Sequence, residues 1–516
     1  MHGRHRSLGA HTSPILASLR SIAAYTGRMQ QHRIYERARL ARDARFDGQF
    51  YVGVITTGIY CRPICPANSP KSENVKFYPS AAAAGEAGFR PCLRCRPESA
   101  PGSPAWSGTS TTVRRGLRLI ANGALDDGGV ESLSERLGVT SRHLRRLFTH
   151  HIGASPLAVA HTQRLHFAKK LIDETSLPLN HIVVAAGYGS TRRFNDTFKR
   201  TYGRSPRELR KIGQHDDDLR PEATLSVRLP YRQPFAWAAM LDFFRHRVTP
   251  GVETVDGDCY RRTLLVDNRH AVVELRPSVK AGYLMLTLHS VNTPSLFETV
   301  QKARDVFDLD APVAEIASVL SADPLLRPVL KANPGIRVPG AWDGFELTIR
   351  AILGQQISVK AATTLAGRIA ARYGDPLDHA AAGKKDLLYL FPTAPRLARA
   401  RFNDIGLVKS RAETLRRVAS AVASGDLQFD AAHDPEKFCT KLKLIKGIGD
   451  WTAQYVAMRA LKNPDAFPAS DLGLLKALHY PDRQTPAELA RHAERWRPWR
   501  AYAALLLWNS LSGSGG

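Results

Sequence analysis

Hydrophobic and polar positions follow two different patterns along this chain. Residues 113–211 repeat their apolar positions with a helical period: Leu133 and Leu137, for example, fall on one helix face. This stretch is therefore predicted to be all-α. Residues 224–288 instead carry short alternating or apolar runs, which are typical of strands. From residue 294 onward the helical period returns, broken by proline and glycine.

The alternating region is predicted to form an antiparallel sheet with one helix across it, an α+β arrangement. The helix is expected over residues 235–246. The clearest strands are expected over residues 225–229, 262–266, 271–275 and 283–288.

Two segments of the helical region share one plan: an apolar helix, a short turn with glycine, and a second helix rich in arginine. Gly138 makes the first turn and Ser141 is expected to cap its second helix; Gly187 and Ser190 have these roles in the second segment. Such segments predict two helix-turn-helix units. The recognition helices would present Arg142, Arg145, Arg146, Arg192 and Arg193. The alternative is that these charged faces are ordinary solvated surfaces.

Length and charge narrow the class of protein. A chain of 516 residues implies several domains, because single cores stop growing at roughly 250 to 300 residues. The formal net charge is +26, spread along the chain, which favours a nucleic-acid partner over an acidic membrane surface. No run approaches the roughly 18 to 20 apolar residues of a membrane helix, and no secretory signal is evident. A cytoplasmic protein without a membrane partner is expected.

Composition and pattern together divide the chain. The linkers are rich in Ser, Gly, Pro, Thr or Asp, and residues 1–28 match no pattern, so Met29 is a candidate start. The predicted division is an N-terminal extension (1–28), a cysteine-rich domain (29–100), a linker (101–112), a helix-turn-helix domain (113–211), a linker (212–223), an α+β domain (224–308) and an all-α domain (309–511).

Four of the six cysteines form two close pairs, Cys61 with Cys65 and Cys92 with Cys95. Two such pairs can converge on one tetrahedral zinc, because soft sulfur ligands at short spacing suit that ion. A pair of disulfides is the alternative, but this chain lacks the features of a disulfide framework. Most four-cysteine zinc sites only stabilise a small fold, so a purely structural role is also open.

The stretches FYVGVITTGIYCRP (50–63), ENVKFY (73–78) and GFRPC (88–92) closely resemble the amino-terminal domain of the Ada DNA-alkylation response proteins. The resemblance implies that Cys61 is both a zinc ligand and the nucleophile that irreversibly accepts methyl from a DNA methylphosphotriester. It also implies phosphate contacts by Thr57 and Arg90, whereas Pro66 and Asn68 stand where the family can carry arginines. No Pro-Cys-His-Arg stretch is present, so the family's guanine-O6 acceptor activity is not expected.

Two further resemblances cover most of the remaining chain. AAGYGS (185–190) and YGRSP (202–206) strongly resemble the AraC-type DNA-binding domain. LIKGIGDWTA (444–453) predicts a hairpin of helices whose glycines, Gly447 and Gly449, allow a tight turn and a grip on a DNA phosphate. With Asp471 downstream, this hairpin is similar to the helix-hairpin-helix (HhH-GPD) glycosylase superfamily. PGAWDGFE (339–346), RAILGQQ (350–356) and ERWRPWR (494–500) extend the likeness to AlkA-type alkylbase DNA glycosylases.

The glycosylase resemblance implies a catalytic role for Asp471, because a carboxylate stabilises the positive charge that develops on the sugar and orients or activates the attacking water. It implies a base pocket of Trp451, Tyr455, Trp508 and Phe243, which would attract cationic purines such as 3-methyladenine. Taken singly, Asp471 would be a surface aspartate and the aromatic residues core packing. Gln356 stands where the AlkA relative has a leucine wedge.

Trp451 also stands where glycosylases that cut the strand place a Schiff-base lysine, so base removal without lyase activity is expected. No cysteine cluster follows the hairpin, so no iron–sulfur cluster is expected. The first hypothesis is a methyl-sensing transcription activator fused to a base-excision glycosylase. It would bind promoter and alkylated double-stranded DNA, with RNA polymerase as a further candidate partner. The competing hypotheses are a regulator with a non-catalytic glycosylase-like region and a repair enzyme whose middle domain only adds DNA affinity.

Overall fold

The computed structural model describes residues 29–100, 111–126, 128–213, 224–279, 282–289, 295–377, 386–430, 434–477 and 485–512. The chain divides between Pro97 and Glu98 into two compact units. The expected N-terminal extension and most of both expected linkers lie outside the described residues. Among the described helices, none combines the length and apolar character that a bilayer-spanning segment requires.

The first unit is a small sheet with helices packed on both of its faces. Its order is β3-β1-β2-β4, with β2 and β4 parallel and the other neighbours antiparallel. Phe50 and Val52 pack with α1, and Tyr51 packs with α2 on the other face, because successive strand residues point to opposite faces. The elements are α1 (29–40), β1 (Tyr51–Val54), β2 (Ile59–Cys61), β3 (Val75–Tyr78), α2 (Ala81–Glu86) and β4 (Arg90–Pro91).

The second unit begins with the all-α region that the helical period predicted. Leu144, Phe148, Phe194 and Phe198 are fully buried in it. Ser190 caps its helix as predicted, but the prediction for Ser141 is wrong: Thr140 caps that helix by accepting from the His143 backbone N–H. The helices are α3 (Thr111–Ala121), α4 (Val130–Arg136), α5 (Ser141–Ile152), α6 (Pro156–Glu174), α7 (Leu179–Ala185), α8 (Thr191–Tyr202) and α9 (Pro206–Gly213).

An antiparallel sheet of order β5-β9-β8-β7-β6 follows, with a helix inserted after β5, as predicted. Two details differ from the prediction. The helix is shorter at both ends than 235–246, and the edge strand β6 was missed because its sequence, ETVD, carries a single apolar residue. The elements are β5 (Thr224–Pro230), α10 (Trp237–Arg245), β6 (Glu253–Asp256), β7 (Cys259–Val266), β8 (Arg269–Pro277) and β9 (Tyr283–His289).

The remaining residues form helices around one apolar core that runs from Ala311 to Leu507. This confirms the all-α prediction for the final region. The helices are α11 (Leu296–Val306), α12 (Val313–Leu320), α13 (Leu326–Ala332), α14 (Gly344–Leu353), α15 (Val359–Tyr373), α16 (Ala394–Ala398), α17 (Lys409–Ala423), α18 (Pro435–Lys443), α19 (Asp450–Arg459), α20 (Leu472–Ala477), α21 (Pro486–Ala493) and α22 (Arg500–Ser512).

A second apolar core crosses the expected domain boundary at residues 212–223. It joins side chains of α6 to α9 with side chains of the second sheet and α11. The rings of Phe167 and Phe297 meet edge to face at 4.9 Å, and the carboxylate of Glu174 accepts from the backbone N–H of Arg228 at 2.9 Å. The helix-turn-helix region and the sheet therefore pack as neighbours with a shared interior.

Candidate active sites

The four paired cysteines meet in the first unit. All six cysteines of the chain lie in described residues and none forms a disulfide, which removes the disulfide alternative. The sulfurs of Cys61, Cys65, Cys92 and Cys95 lie within 4.8 Å of one another. Sulfurs at about 2.3 Å from a tetrahedral zinc are about 3.8 Å apart, so the donor set fits zinc.

Local structure explains how the cysteines converge. Cys61 ends β2 and Cys92 follows β4, and these two strands pair side by side. The Arg62 backbone N–H donates to the Cys95 sulfur at 3.3 Å. The Arg62 side chain is buried, donates to the Cys95 carbonyl at 3.1 Å and forms an ion pair with Asp47. The two hydrogen bonds from Arg62 to Cys95 hold the two cysteine segments together, and the ion pair with Asp47 orients the Arg62 side chain.

The sulfur cluster opens into a cavity of about 300 Å³ that Cys61, Cys65, Cys92 and Thr57 line. The thiols share hydrogen bonds, and the one between Cys61 and Cys65 lowers the pKa of Cys65 and raises that of Cys61. The structure brings Thr57 and Asn68 to the rim of this cavity, whereas Arg90 is exposed and does not line it. Pro66 lies in the segment between Cys65 and Asn68.

The predicted recognition helices are α5 and α8. Their arginines, Arg142, Arg145, Arg146, Arg192 and Arg193, are all exposed, while the phenylalanines on the opposite faces are buried. Arg145 pairs with Glu131 at 3.1 Å, and the other charges of these helices lie mainly at the surface. The two helices therefore present basic faces of the kind that DNA phosphates attract.

Asp471 lies at the wall of a cavity of about 850 Å³ in the second unit. Its carboxylate accepts from the indole N–H of Trp451 at 2.7 Å and from the indole N–H of Trp508 at 2.9 Å. The backbone N–H of Leu474 donates to it at 3.0 Å. A carboxylate has about four acceptor positions, so these three donors orient Asp471 and leave capacity for a further partner such as water.

The four predicted pocket aromatics all line this cavity. Trp451 and Tyr455, one turn apart on α19, are stacked with centroids 5.1 Å apart, and Trp508 meets Tyr455 at 6.4 Å. Two guanidinium groups lie over the ring of Phe243: that of Arg247 is 4.0 Å from the ring centroid and that of Arg459 is 4.8 Å from it. Arginine therefore already stacks on the Phe243 ring.

Sequence reasoning missed the arginines Arg247, Arg350 and Arg459, which line the same cavity. A signal was present for one of them: Arg459 lies four residues after Tyr455 on α19, so the two share a helix face. Arg247 lies four residues after Phe243, just beyond the end of α10. Arg459 donates to the Tyr455 hydroxyl at 2.5 Å. Burial by itself raises the pKa of Tyr455, but Arg459 and Arg247 outweigh it and bring the pKa below its usual value.

The three arginines differ in how their charge is balanced. Arg350 pairs with Glu253 at 3.1 Å and with Glu346 at 3.5 Å. Arg459 donates to the backbone carbonyls of residues 339 and 340 at 2.8 and 2.9 Å. Arg247 donates to the Phe243 carbonyl at 3.2 Å, and burial lowers its pKa. Arg247 therefore brings the least compensated positive charge to the cavity.

The predicted Gly-Ile-Gly turn joins α18 to α19. Gly447 has a φ of +97°, and a Cβ there would lie 2.1 Å from the Thr414 hydroxyl, so only glycine fits. Gly449 precedes α19 with open space around it. Gln356 is exposed at a φ of +58°, and its neighbour Gln355 donates to the Gly447 carbonyl at 3.1 Å. The segment that carries Gln356, the expected wedge residue, is thus hydrogen-bonded to the Gly-Ile-Gly turn.

Four family models match successive parts of the chain. They are the metal binding domain of Ada over residues 35–98, a helix-turn-helix domain over 133–212, the AlkA N-terminal domain over 226–343, and the HhH-GPD superfamily base excision DNA repair protein over 349–498. The sulfur cluster lies within the first match, and the hairpin and Asp471 lie within the last. The matches confirm the families that the sequence motifs resembled.

Three curated proteins show how far the similarity extends. The chain is 42% identical over 92% of its length, and over 95% of the other protein, to the "Probable bifunctional transcriptional activator/DNA repair enzyme AlkA" of Mycobacterium tuberculosis. It is 36% identical, over 54% of its length and 95% of the relative, to "DNA-3-methyladenine glycosylase 2" of Escherichia coli. It is 30% identical, over 35% of its length and 83% of the relative, to the "Bifunctional transcriptional activator/DNA repair enzyme AdaA" of Bacillus subtilis.

Proposed function

The chain belongs to the family of bifunctional transcriptional activator/DNA repair enzymes AlkA, and from this premise we propose two distinct reactions for it on alkylated DNA. Cys61 accepts methyl from the DNA backbone and so turns on transcription, and the cavity around Asp471 releases alkylated bases. The observation that carries the proposal is that two clusters suited to these chemistries, four converging sulfurs and a carboxylate held by two indoles, occur in one DNA-binding chain.

The methyl transfer is assigned to Cys61. When bound by the four cysteines, zinc holds them as thiolates, which is the nucleophilic form of sulfur. Cys61 lines the open side of the cluster, where a phosphotriester can approach. Its sulfur attacks the methyl carbon, the carbon–oxygen bond breaks, and the phosphate leaves as an ordinary diester. The Cys95 sulfur is a poorer nucleophile because the Arg62 N–H donates to it.

Methylation of Cys61 also changes the charge of the site, and this change is the proposed switch for DNA binding. With zinc bound, four thiolates would give the cluster a formal charge of about −2, and a thioether at Cys61 in place of its thiolate would bring that charge to about −1. Less negative charge near a phosphate strengthens DNA binding. The exposed arginines of α5 and α8 then contact the promoter, and Thr57 and Arg90 contact the damaged backbone. RNA polymerase is the proposed partner of the activated protein.

Base release is assigned to Asp471. The flipped base enters the cavity lined by Trp451, Tyr455, Trp508 and Phe243, while Gln356 fills the gap in the helix and the hairpin holds a phosphate. As the N-glycosidic bond breaks, positive charge develops on the sugar and the carboxylate stabilises it. The unused acceptor position of Asp471 orients the attacking water. No lysine stands at the Trp451 position, so the strand is left intact.

The lesions proposed are alkylated purines of the 3-methyladenine and 7-methylguanine type. Tyr455 and the two tryptophans offer ring faces to a cationic base. The domain division proposed for these activities is the one predicted from the sequence, with a single zinc in residues 29–100 and the glycosylase domain over 309–511. The apolar core from Ala311 to Leu507 supports the last boundary.

The test is to incubate the full chain with methylated duplex DNA and to measure both products: free base by chromatography and one added methyl on the Cys61 peptide by mass spectrometry. Asp471→Asn should stop base release and leave Cys61 methylation intact. Cys61→Ser should do the reverse. Asp242→Asn is the matched control, because Asp242 also lines the cavity but is exposed and lies 3.5 Å from Arg245.

Either of two outcomes would favour a different function for the chain. Base release by Asp471→Asn at the parental rate would remove its catalytic role and favour a regulator with a non-catalytic glycosylase-like region. Methylation of Cys61 without any promoter footprint would favour a repair enzyme whose helix-turn-helix region only adds DNA affinity.

A further inference from the structure

Helix α3, at the start of the helix-turn-helix region, has two different faces. Val113, Leu119 and Ile120 are buried, and a Cβ on Gly116 would lie 2.9 Å from the ring of Phe148, so one face packs inside the region. The other face carries arginines at positions 114, 115 and 118. A recognition role would require these arginines to face solvent, but all three are half-buried.

The arginine face of α3 lies against the glycosylase region. Arg118 donates through Nη1 to the backbone carbonyl of Leu461. Burial lowers the pKa of Arg118, and Asp305 and Asp308 oppose that effect. Lys462 pairs with the same two carboxylates at 3.1 and 3.3 Å. The Leu461 carbonyl therefore fixes Arg118, and two nearby carboxylates, one of them buried, favour its charge.

Leu461 belongs to the turn over residues 460–465, which connects the two halves of the base site. The turn follows α19, the helix of Trp451 and Tyr455, and precedes the segment that leads to Asp471. The Asn463 N–H donates to the Ala457 carbonyl at 3.0 Å, which holds the turn against α19.

The same turn is also fastened to α22, the helix of Trp508. The Ala501 N–H donates to the Pro464 carbonyl at 2.9 Å, and Asp465 pairs with Arg500 at 2.8 Å. A shift of the turn would therefore change the relative positions of α19, α22 and Asp471.

Given the proposed glycosylase function, on which this inference rests, we propose that Arg118 is a positioning residue for base excision. It acts from the helix-turn-helix region through the Leu461 carbonyl and keeps the two indole N–H groups aimed at the Asp471 carboxylate. The glycosylase part of this chain is thus completed by a helix that a free-standing glycosylase would lack. A displacement of about 1 Å at such a site can cost roughly a hundredfold in rate.

A second contact between the same regions provides the control. Arg136 on α4 pairs with Asp430 at 2.7 Å, and both side chains are substantially exposed. Asp430 follows α17 and is not part of the turn at 460–465. An exposed pair of this kind contributes little to stability, so Arg136→Gln removes a contact between the regions with little effect on the turn.

The experiment compares full-length parent, Arg118→Gln, Arg118→Lys and Arg136→Gln. Single-turnover release of 3-methyladenine, affinity for abasic-site DNA, and amide hydrogen exchange of residues 460–465 are measured for each. Arg118→Gln should lower the rate constant about tenfold with affinity within about twofold, and exchange should accelerate. Arg118→Lys should recover to within about threefold of the parent, because its ammonium keeps the charge and can reach a carbonyl. Arg136→Gln should match the parent in all three measurements.

A parental rate constant and parental exchange in folded Arg118→Gln would overturn the proposal, as would an equal loss in Arg136→Gln. If Arg118→Gln cannot be obtained folded, Arg118→Met decides, because it keeps the aliphatic stem and removes the donor to the Leu461 carbonyl. A slower rate and faster exchange support the proposal, and parental values of both overturn it. If the parent itself releases no base, the proposed glycosylase function is wrong. The hydrogen-exchange rate of residues 460–465 in Arg118→Gln then shows by itself whether Arg118 holds the turn.

Discussion

The indole N–H of Trp451 lies 2.7 Å from the carboxylate of Asp471, 20 residues further along the chain. This hydrogen bond makes an aromatic residue in the first turn of α19 an orienting partner of the carboxylate. A residue that the sequence suggested for stacking thus has a second role, which is to point Asp471 toward the cavity.

Trp451→Phe removes that donor and keeps an aromatic ring. We expect single-turnover base release to fall about tenfold, because a hydrogen bond to a charged acceptor contributes about 1.5–3 kcal/mol. Affinity for abasic DNA should change little. Tyr455→Phe is the comparison, since its hydroxyl contacts Arg459 and not Asp471. An unchanged rate in Trp451→Phe would mean that Trp508 and Leu474 suffice to orient the carboxylate.

Arg247→Ala should shift lesion preference. The Arg247 guanidinium lies 4.0 Å from the Phe243 ring, occupies a face that a base could use and repels a cationic base. We expect release of 3-methyladenine or 7-methylguanine relative to a neutral lesion such as hypoxanthine to rise about tenfold, which corresponds to about 1.4 kcal/mol. The measurement is a competition between the two classes of lesion in duplexes of the same sequence. A fall in that ratio would show that Arg247 serves cationic bases.

Stability should fall in acid because of Glu253. Burial raises the pKa of this carboxyl, but Arg350 and Arg262 outweigh burial and lower the pKa to about 2, from an ordinary value of 4.5. A lowered pKa in the folded state stabilises the protein above the unfolded value, and this stabilisation disappears as pH falls from 4.5 toward 2. It amounts to about 3 kcal/mol.

Glu253→Gln tests this origin of acid sensitivity. At pH 7 the variant should lose about 3–5 kcal/mol of unfolding free energy, because its buried arginines lose a partner. The difference from the parent should narrow at pH 3, as measured by urea unfolding at both values. A constant difference would place the acid sensitivity elsewhere, for example at Glu274, which has a pKa of about 2.

Gly447→Ala should disrupt the hairpin. The added Cβ would lie 2.1 Å from the Thr414 hydroxyl at a φ of +97°, so we expect a loss of about 2 kcal/mol or more in unfolding free energy and weaker DNA binding. Gly449→Ala is the matched control, since a Cβ there meets open space at a negative φ. It should unfold at nearly the parental temperature. Equal melting temperatures for both variants would contradict the steric argument.

Methylation of Cys61 should strengthen DNA binding. Removing one negative charge near the phosphates should raise affinity for a promoter duplex about tenfold at 0.1 M salt, and the gain should shrink as salt is raised. Fluorescence anisotropy of methylated and unmethylated protein at matched salt measures this. The Cys61→Ser protein, exposed to the same methylated DNA, is the control and should show no gain. Equal affinities of the two forms would exclude an electrostatic switch.

The sequence by itself determined the local features. Cysteine spacing specified a metal cluster, glycines marked the turns at positions 138, 187 and 447, and apolar periodicity separated the helical regions from the sheet. These features depend on neighbours within a few residues, so pattern alone exposes them. Even here small errors arose: Thr140 caps the helix assigned to Ser141, because two adjacent hydroxyl residues both suit the position.

The tertiary structure decided what lies around each site. Only packing shows that Trp451 and Trp508 share one carboxylate, that Arg247 and Arg459 stack on Phe243, and that Arg118 enters the glycosylase region 343 residues away along the chain. The physical reason is that burial and charge compensation depend on contacts between distant segments. An arginine on an amphipathic helix has the same sequence pattern whether it faces solvent or the carbonyl and carboxylates of another region.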